Sequence, residues 1–340
     1  MNEEDSILAA LVVLPVVLCM GLMRFRRFLR NRGKHNWFLL ILGNALVLAF
    51  MLSATLLVGE IYFRFIYDST DALAYTKVCR AWFNRHWRLN DAQCRDDMAY
   101  FPETNGLRRI TFFGDSFAAG HGVDLKDTFF VRIREGHPDW QIHCIAQPGA
   151  ETAQEQTNLN LFVEMHYQLA DVVLVYCLND VSDLMPNRAA LTNSLAEDKA
   201  RQGWLFKNSY CLNFFYWRWS SAHNPWMKGY FDFIAETSSG PVWEKQKERL
   251  RKFKRTVEKN GGHLRVVTFP FLHALGPNYQ YQGIHDALDK FWKEEGVPHL
   301  DLLNVYQTMK PSEVMVNRFD PHPNKKAHEL AAAAIADFLK

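Results

Sequence analysis

The sequence has no Cys-x-x-Cys pair. Its six cysteines, Cys19, Cys79, Cys94, Cys144, Cys177 and Cys211, are scattered, so a zinc site of the usual spacing is excluded. The chain also lacks a strong charge bias. Its formal net charge is +2, and its basic residues are not spread as a nucleic-acid groove requires, which argues against a nucleic-acid partner. No period of roughly 20–50 residues recurs, so the chain is not a solenoid or propeller. His263, His273, His285 and His299 show no ligand spacing, and no metal or cofactor is assigned. The 340 residues are enough for one large domain or two small ones.

What the chain does have, at its front, is two long runs without charge. Residues 7–23 (ILAALVVLPVVLCMGLM) and 37–59 (WFLLILGNALVLAFMLSATLLVG) contain no Asp, Glu, Lys or Arg. A helix of the second length is about 35 Å long and a bilayer core is about 30 Å thick. The first run is near the lower limit and contains Pro15. It is followed by arginines rather than by the small-residue cleavage site of a signal peptide. Two transmembrane helices are expected, forming an anchor over residues 1–60 with the lipid bilayer as partner. Six of the thirteen residues 24–36 are Arg or Lys, whereas Glu3, Glu4 and Asp5 precede the first run. The positive-inside rule therefore makes 24–36 a cytoplasmic loop and faces the rest outward from the cytoplasmic membrane, toward the periplasm or the extracellular side. Such a compartment permits disulfides, and Cys79 and Cys94 stand 15 residues apart in a polar, aromatic segment where a bridge is one of two open outcomes.

Residues 61–107 read as a connector without assigned chemistry. From residue 108 strands and helices alternate. Strands are expected over 108–113, 141–145, 171–177, 264–271 and 299–303. Helices are expected over about 127–135, 152–168, 241–260 and 282–295, with a last one from about 324. Near-continuous apolar strands separated by helices imply a parallel sheet covered on both faces. An aromatic-rich insertion at about 184–240 interrupts the pattern. Its rings, from Trp204 to Phe233, fit either helical packing onto the sheet, which their partly helical spacing favours, or a sugar-stacking platform or membrane-resting lid over the active site, and the insertion is expected to border the cleft.

In an open parallel sheet, ligands sit beyond the carboxyl ends of the strands. The first strand ends in Gly114-Asp115-Ser116, the second in a turn carrying Gly149, and the third in Asn179-Asp180. Asp320-Pro321-His322-Pro323-Asn324 precedes the last helix. Taken alone, Ser116 fits a helix N-cap as well as a nucleophile. Together, the blocks supply what acyl transfer needs: Ser116 as nucleophile, His322 as base, and Asp320 to orient the imidazole. The oxyanion-hole donors would be the Ser116 N–H, the Gly149 N–H and the Asn179 amide. Asp115, Asp180 and His328 read as structural. His121, between two glycines, is expected to pack at the surface or in its loop, with a place facing the pocket as the alternative.

The order Gly-Asp-Ser, Gly, Asn-Asp, Asp-x-His-Pro-Asn resembles the SGNH (GDSL-type) hydrolase family over residues 108–340, and its wording is similar to a membrane-attached branch. The resemblance implies an α/β, flavodoxin-like three-layer sandwich with a five-stranded parallel sheet, and Ser116, Gly149, Asn179 and His322 match the four namesake positions. There are two departures. Cys177 stands where the family often has glycine, and the last block is Asp-x-His rather than Asp-x-x-His, leaving open a Ser–His dyad. The expected function is a membrane-anchored ester hydrolase acting on small acyl esters, with O-acetyl groups of a cell-envelope glycan as candidate substrate. The alternatives are acyl transfer to a glycan hydroxyl by the same site and a catalytically silent envelope-assembly protein.

Overall fold

Short runs rich in β-branched and aromatic residues become the strands of one parallel sheet, and the segments between them become helices. The computed structural model describes residues 3–32, 36–104 and 106–340. In chain order the elements begin with α1 (Glu3–Arg32), α2 (Trp37–Ile61), α3 (Lys77–His86), β1 (Arg108–Gly114), α4 (Ser116–Ala119), α5 (Phe129–Gly136), β2 (Trp140–Ala146), α6 (Thr152–Glu164) and β3 (Asp171–Cys177). Four helices follow: α7 (Arg188–Ala200), α8 (Trp204–Asn208), α9 (Tyr210–His223) and α10 (Pro225–Ala235). The chain ends with α11 (Gly240–Lys259), β4 (His263–Phe269), α12 (Gln282–Glu294), β5 (His299–Asp301), α13 (Leu303–Tyr306), α14 (Pro311–Val314), β6 (Met315–Asn317), β7 (Asp320–Pro323) and α15 (Lys325–Leu339). Two compact units result. One is Met1–Asp68, Tyr75–Ala81 and Leu195–His223, and the other is Ser69–Ala74, Trp82–Ser194 and Asn224–Lys340.

In the first unit α1 and α2 pack against each other. Both are long and apolar enough to cross a membrane. Their side chains mostly lack protein cover: Val13, Leu48 and Val58 are 57, 66 and 67 % exposed. The structure corrects the extent of the basic loop. Arg24–Arg32 is not loop but the last turns of α1, which at 30 residues is about 45 Å long and outruns the hydrocarbon core. Residues 33–35 of the expected loop lie outside the described residues.

In the second unit the sheet order is β2-β1-β3-β4-β5, all parallel. The chain goes outward from β1 to β2, then returns to the other side of β1 with β3. In open parallel sheets such a reversal is where the ligand crevice lies, here at the carboxyl ends of β1 and β3. Both faces are covered, because consecutive residues of β1 point opposite ways. Phe112 meets Phe129 of α5, with ring centroids 5.2 Å apart. Its neighbour Phe113 meets Phe162 of α6 and Phe253 of α11, at 6.4 and 5.8 Å. The fourth and fifth strands end two residues earlier than expected: Pro270 cannot extend the β4 ladder, and Leu303 opens α13. The hairpin of β6 and β7, antiparallel with Asn317 opposite Asp320, was not expected.

The Cys79–Cys94 bridge is not formed. None of the six cysteines is in a disulfide, and Cys79 and Cys94 are buried. Burial, helped by the nearby Asp96 charge, pushes the Cys94 thiol up to about 12, which keeps it protonated and unreactive.

Because Phe113 joins the central strand to two helices, Phe113→Ala is expected to cost about 3–5 kcal/mol, and Phe113→Leu much less. Thermal unfolding of the full chain in detergent checks this. Equal midpoints for the two variants would show that the ring is not a packing element.

Candidate active site

β1 ends at a glycine because nothing larger fits. A Cβ at Gly114 would lie 2.8 Å from the Val175 carbonyl oxygen and 2.8 Å from Ala118 Cβ. The chain then turns directly into α4. Asp115 caps it, with Oδ1 accepting the Phe117 N–H at 2.8 Å. Ser116 is therefore the first residue of a four-residue helix at the mouth of the crevice. α4 closes on Gly120 in the left-handed region (φ 75°), and the His121 N–H donates to the Ser116 carbonyl at 3.0 Å. The loop thus doubles back and returns His121 to the serine it left.

The candidate base, His322, arrives on β7. In an extended strand residues i and i+2 share a face, so Asp320 and His322 point the same way. This resolves the Asp-x-His departure. His322 Nδ1 lies 2.5 Å from Asp320 Oδ1, and the same oxygen accepts the His322 backbone N–H at 3.1 Å. On the far side of the ring, His322 Nε2 lies 2.8 Å from Ser116 Oγ. Two residues separated by 206 positions meet here, and both are buried, at 7 % exposure each.

Two further residues complete the cluster. Thr70 donates its hydroxyl to Asp320 Oδ2. It is held beside the hairpin because Asn317 Nδ2 donates to the Thr70 carbonyl at 3.0 Å and to Ser69 Oγ at 2.7 Å. His121 stacks on His322, with ring centroids 4.0 Å apart and planes 14° apart. Its Nε2 is 3.3 Å from Asp320 Oδ2, within ion-pair range but not aligned as a hydrogen bond. The expectation that His121 merely packs in its loop is therefore corrected. Arg95, from the segment read as a connector, braces this loop through the Ala119, Gly120 and Val123 carbonyls at 2.9, 2.5 and 2.7 Å.

The remaining predicted residues sit around this core. Asn179 Nδ2 donates to Asp115 Oδ2 at 3.2 Å, and that oxygen also receives the Ser116 hydroxyl at 3.3 Å. Gly149 lies on the turn after β2, which is tied to β1 by the Gln147 N–H donating to the Gly114 carbonyl at 3.1 Å. Its φ of 79° requires glycine, and the space a Cβ would fill is open. Asp180 braces its own loop, accepting the Cys177 N–H at 3.0 Å. α10 of the aromatic segment packs against the Leu178–Leu184 turn that carries Asn179. His328 is structural: its Nδ1 accepts the Phe129 N–H at 3.2 Å.

Charge in the cluster is tuned by pairing. Burial pulls the His322 imidazolium down, but the charge and hydrogen bond of Asp320, with Asp115 and Asp71, outweigh it and leave its pKa above the ordinary value. Burial pushes Asp320 up, and the two histidines more than offset it, so the carboxylate stays ionised. His121 is lowered, by burial first and by His322 second, and is neutral near pH 7. Ligand atoms of His121, Asp320 and His322 also lie within 4.8 Å of one another. Both ring nitrogens of His322 are taken, by Asp320 and Ser116. The geometry therefore suits proton transfer better than metal coordination.

No family model matches the chain, and no curated protein matches it. Among solved structures it is similar to TesA, at 14 % identity over 68 % of this chain and 98 % of that one, TM-score 0.43. It is similar to the psychrotrophic esterase EstA from Pseudoalteromonas sp., at 14 % identity over 68 % and 96 %, TM-score 0.42. It is also similar to a member of the lipolytic protein G-D-S-L family from Veillonella parvula, at 12 % identity over 68 % and 97 %, TM-score 0.41.

The raised His322 pKa carries a pH signature. A base must be deprotonated to work, so the rate at which Ser116 reacts with a fluorophosphonate is expected to rise through a midpoint above about 6.5. Asp320→Asn removes the group that outweighs burial, so the midpoint should fall below that value while the maximal rate drops. A midpoint unmoved by Asp320→Asn would contradict this electrostatic account.

Proposed function

We propose that the chain is a serine ester hydrolase of the SGNH (GDSL) type, held in the cytoplasmic membrane by α1 and α2 with its catalytic unit outside. The observation that carries the reading is the unbroken chain from Ser116 Oγ to His322 Nε2 at 2.8 Å and from His322 Nδ1 to Asp320 at 2.5 Å, set at the crevice where the strand order reverses. A catalytically silent relative would have no need to keep it.

The steps follow from the geometry. Ser116 Oγ attacks the ester carbonyl while His322 Nε2 takes its proton, and Asp320 steadies the imidazolium. The Ser116 N–H, the Gly149 N–H and the Asn179 amide receive the oxyanion; each such donor contributes about 2.7–4 kcal/mol to the transition state. Collapse expels the alcohol, which takes the proton from His322. Water, deprotonated by the same nitrogen, then attacks the acyl-serine and releases the acid. Ser116 is nearly enclosed and walled by Phe117, whose ring centre lies 5.2 Å from that of His322. Such a site favours a small acyl group, and O-acetyl esters of an envelope glycan are the class we assign.

Orientation rests on charge. Arg24, Arg26, Arg27 and Arg30 lie at one end of α1, and Glu3, Glu4 and Asp5 at the other. The cations at the acidic end are paired: Arg64 with Asp5 at 2.6 Å, and Lys77 with Glu4. The positive cluster at the other end belongs inside.

Covalent labelling of the purified full chain by a fluorophosphonate, followed by acetyl-ester turnover, tests the reading. Labelling should vanish in Ser116→Ala, and turnover should fall on the order of 10⁴–10⁶-fold. Asn179→Ala should keep the label while losing roughly 10²–10³-fold in kcat. Label that persists in Ser116→Ala would falsify the assignment of the nucleophile. With an added oligosaccharide, free acetate supports hydrolysis, whereas acetylated sugar would overturn it in favour of transfer.

A further inference from the structure

The densest exposed cluster of large apolar side chains outside the two long helices lies on α8 and α9. Trp204, Leu205, Phe206, Phe215 and Trp219 are 51, 54, 41, 57 and 63 % exposed. Phe215 and Trp219 are four residues apart and so form one stripe of α9. The opposite side of α9 is packed: Trp217 is buried and stacks on Tyr75, with centroids 4.7 Å apart. A helix with one glued face and one bare aromatic face calls for a second apolar environment.

The contacts within this unit fix the depth at which that face stands. Glu60, fully buried, caps the first turn of α9: its carboxylate accepts Ser209 Oγ at 2.6 Å, the Tyr210 N–H at 3.1 Å and the Cys211 N–H at 3.0 Å. Gly59 lets the two helices touch, since a Cβ there would come within 2.6 Å of Cys211 Sγ. Phe63 stacks on Phe214 at 4.4 Å and meets Phe215 at 5.7 Å. Asn208 at the end of α8 donates to Glu3 at 2.9 Å. All these partners lie where the apolar runs of α1 and α2 give way to charge, which is the boundary between hydrocarbon and headgroups. Trp37 and Phe38, 72 and 59 % exposed, mark the opposite boundary.

We propose that α8 and α9 are an interfacial collar, whose Trp204, Phe206, Phe215 and Trp219 rings rest in the outer headgroup layer of the bilayer that α1 and α2 cross. The partner is a lipid surface. Aromatic rings with exposed Lys207 among them match the composition of interfacial belts. The exposed face continues that of α2, through Phe63 to Val58. The proposal rests on the reading of α1 and α2 as membrane spans.

The test uses the full chain, spin-labelled at single introduced cysteines and reconstituted in phosphatidylcholine–phosphatidylglycerol vesicles. The positions are Leu48→Cys in the span, Lys245→Cys on the charged α11, and Phe215→Cys and Trp219→Cys in the collar. Label-reacted chain without an added cysteine gives the background. Collisions with oxygen relative to a water-soluble nickel chelate report depth. At 215 and 219 the ratio should fall between those at 48 and 245. Values equal to that at 245 would place the rings in water and overturn the collar while leaving the spans intact. An aqueous value at 48 would overturn the spans and the collar with them. Spin–spin broadening at 215 or 219 would overturn it in favour of a contact between copies of the chain.

Discussion

A buried carboxylate must be surrounded by donors, and in this protein the requirement organises the site. Asp320 has no exposed surface, and a buried anion without partners is strongly destabilising. Its donors are the backbone and ring of His322 and the hydroxyl of Thr70, 250 residues away, with His121 within ion-pair range. Satisfying Asp320 therefore fixes the β6–β7 hairpin, the Ser69–Ala74 segment and the loop after α4 against one another. The same constraint makes His322 a stronger base, because the carboxylate that needs its proton also holds its ring toward Ser116. Folding and chemistry share one interaction.

The sheet supplies the rest by topology. Ser116, just after β1, and the Asn179 amide, after β3, both reach Asp115 because these strands pair directly, Gly114 opposite Val175. The turn after β2 joins them because β2 flanks β1 on the other side. None of these residues is close to another in sequence beyond its own block, yet each block stands at a carboxyl strand end. In the other unit, Glu60 plays an analogous role: a buried carboxylate that ties the end of α2 to the start of α9.

Much of this was legible in the amino acids, and what was not has physical reasons. The strands are near-continuous apolar runs, so β1 to β3 were placed within a residue or two. The positions of Ser116 and Asn179 were legible because each follows a strand of the parallel sheet, and those of Asp320 and His322 because their block precedes the last helix. β7 was missed because Asp-Pro-His-Pro reads as a loop. Proline is tolerated there because the hairpin has two strands, each of which is an edge. His121 lies between two glycines, which favoured surface or loop packing over a place in the site. Both adopt positive φ, 75° and 86°, and it is this tight return that buries the ring. Thr70 carries no local signal, since its partner is 250 residues away. The arginines after Met23 read as a loop because their charge ends the apolar run, whereas the helix itself continues to Arg32.

The central claim is that Ser116 carries the acyl group during turnover. Acid-quenching the full chain during hydrolysis of p-nitrophenyl acetate, followed by peptide mass spectrometry, tests it most directly. The account predicts an acetyl adduct on the peptide containing Ser116, which disappears in Ser116→Ala. Steady turnover with no adduct on that peptide, or with the adduct at another residue, would contradict it.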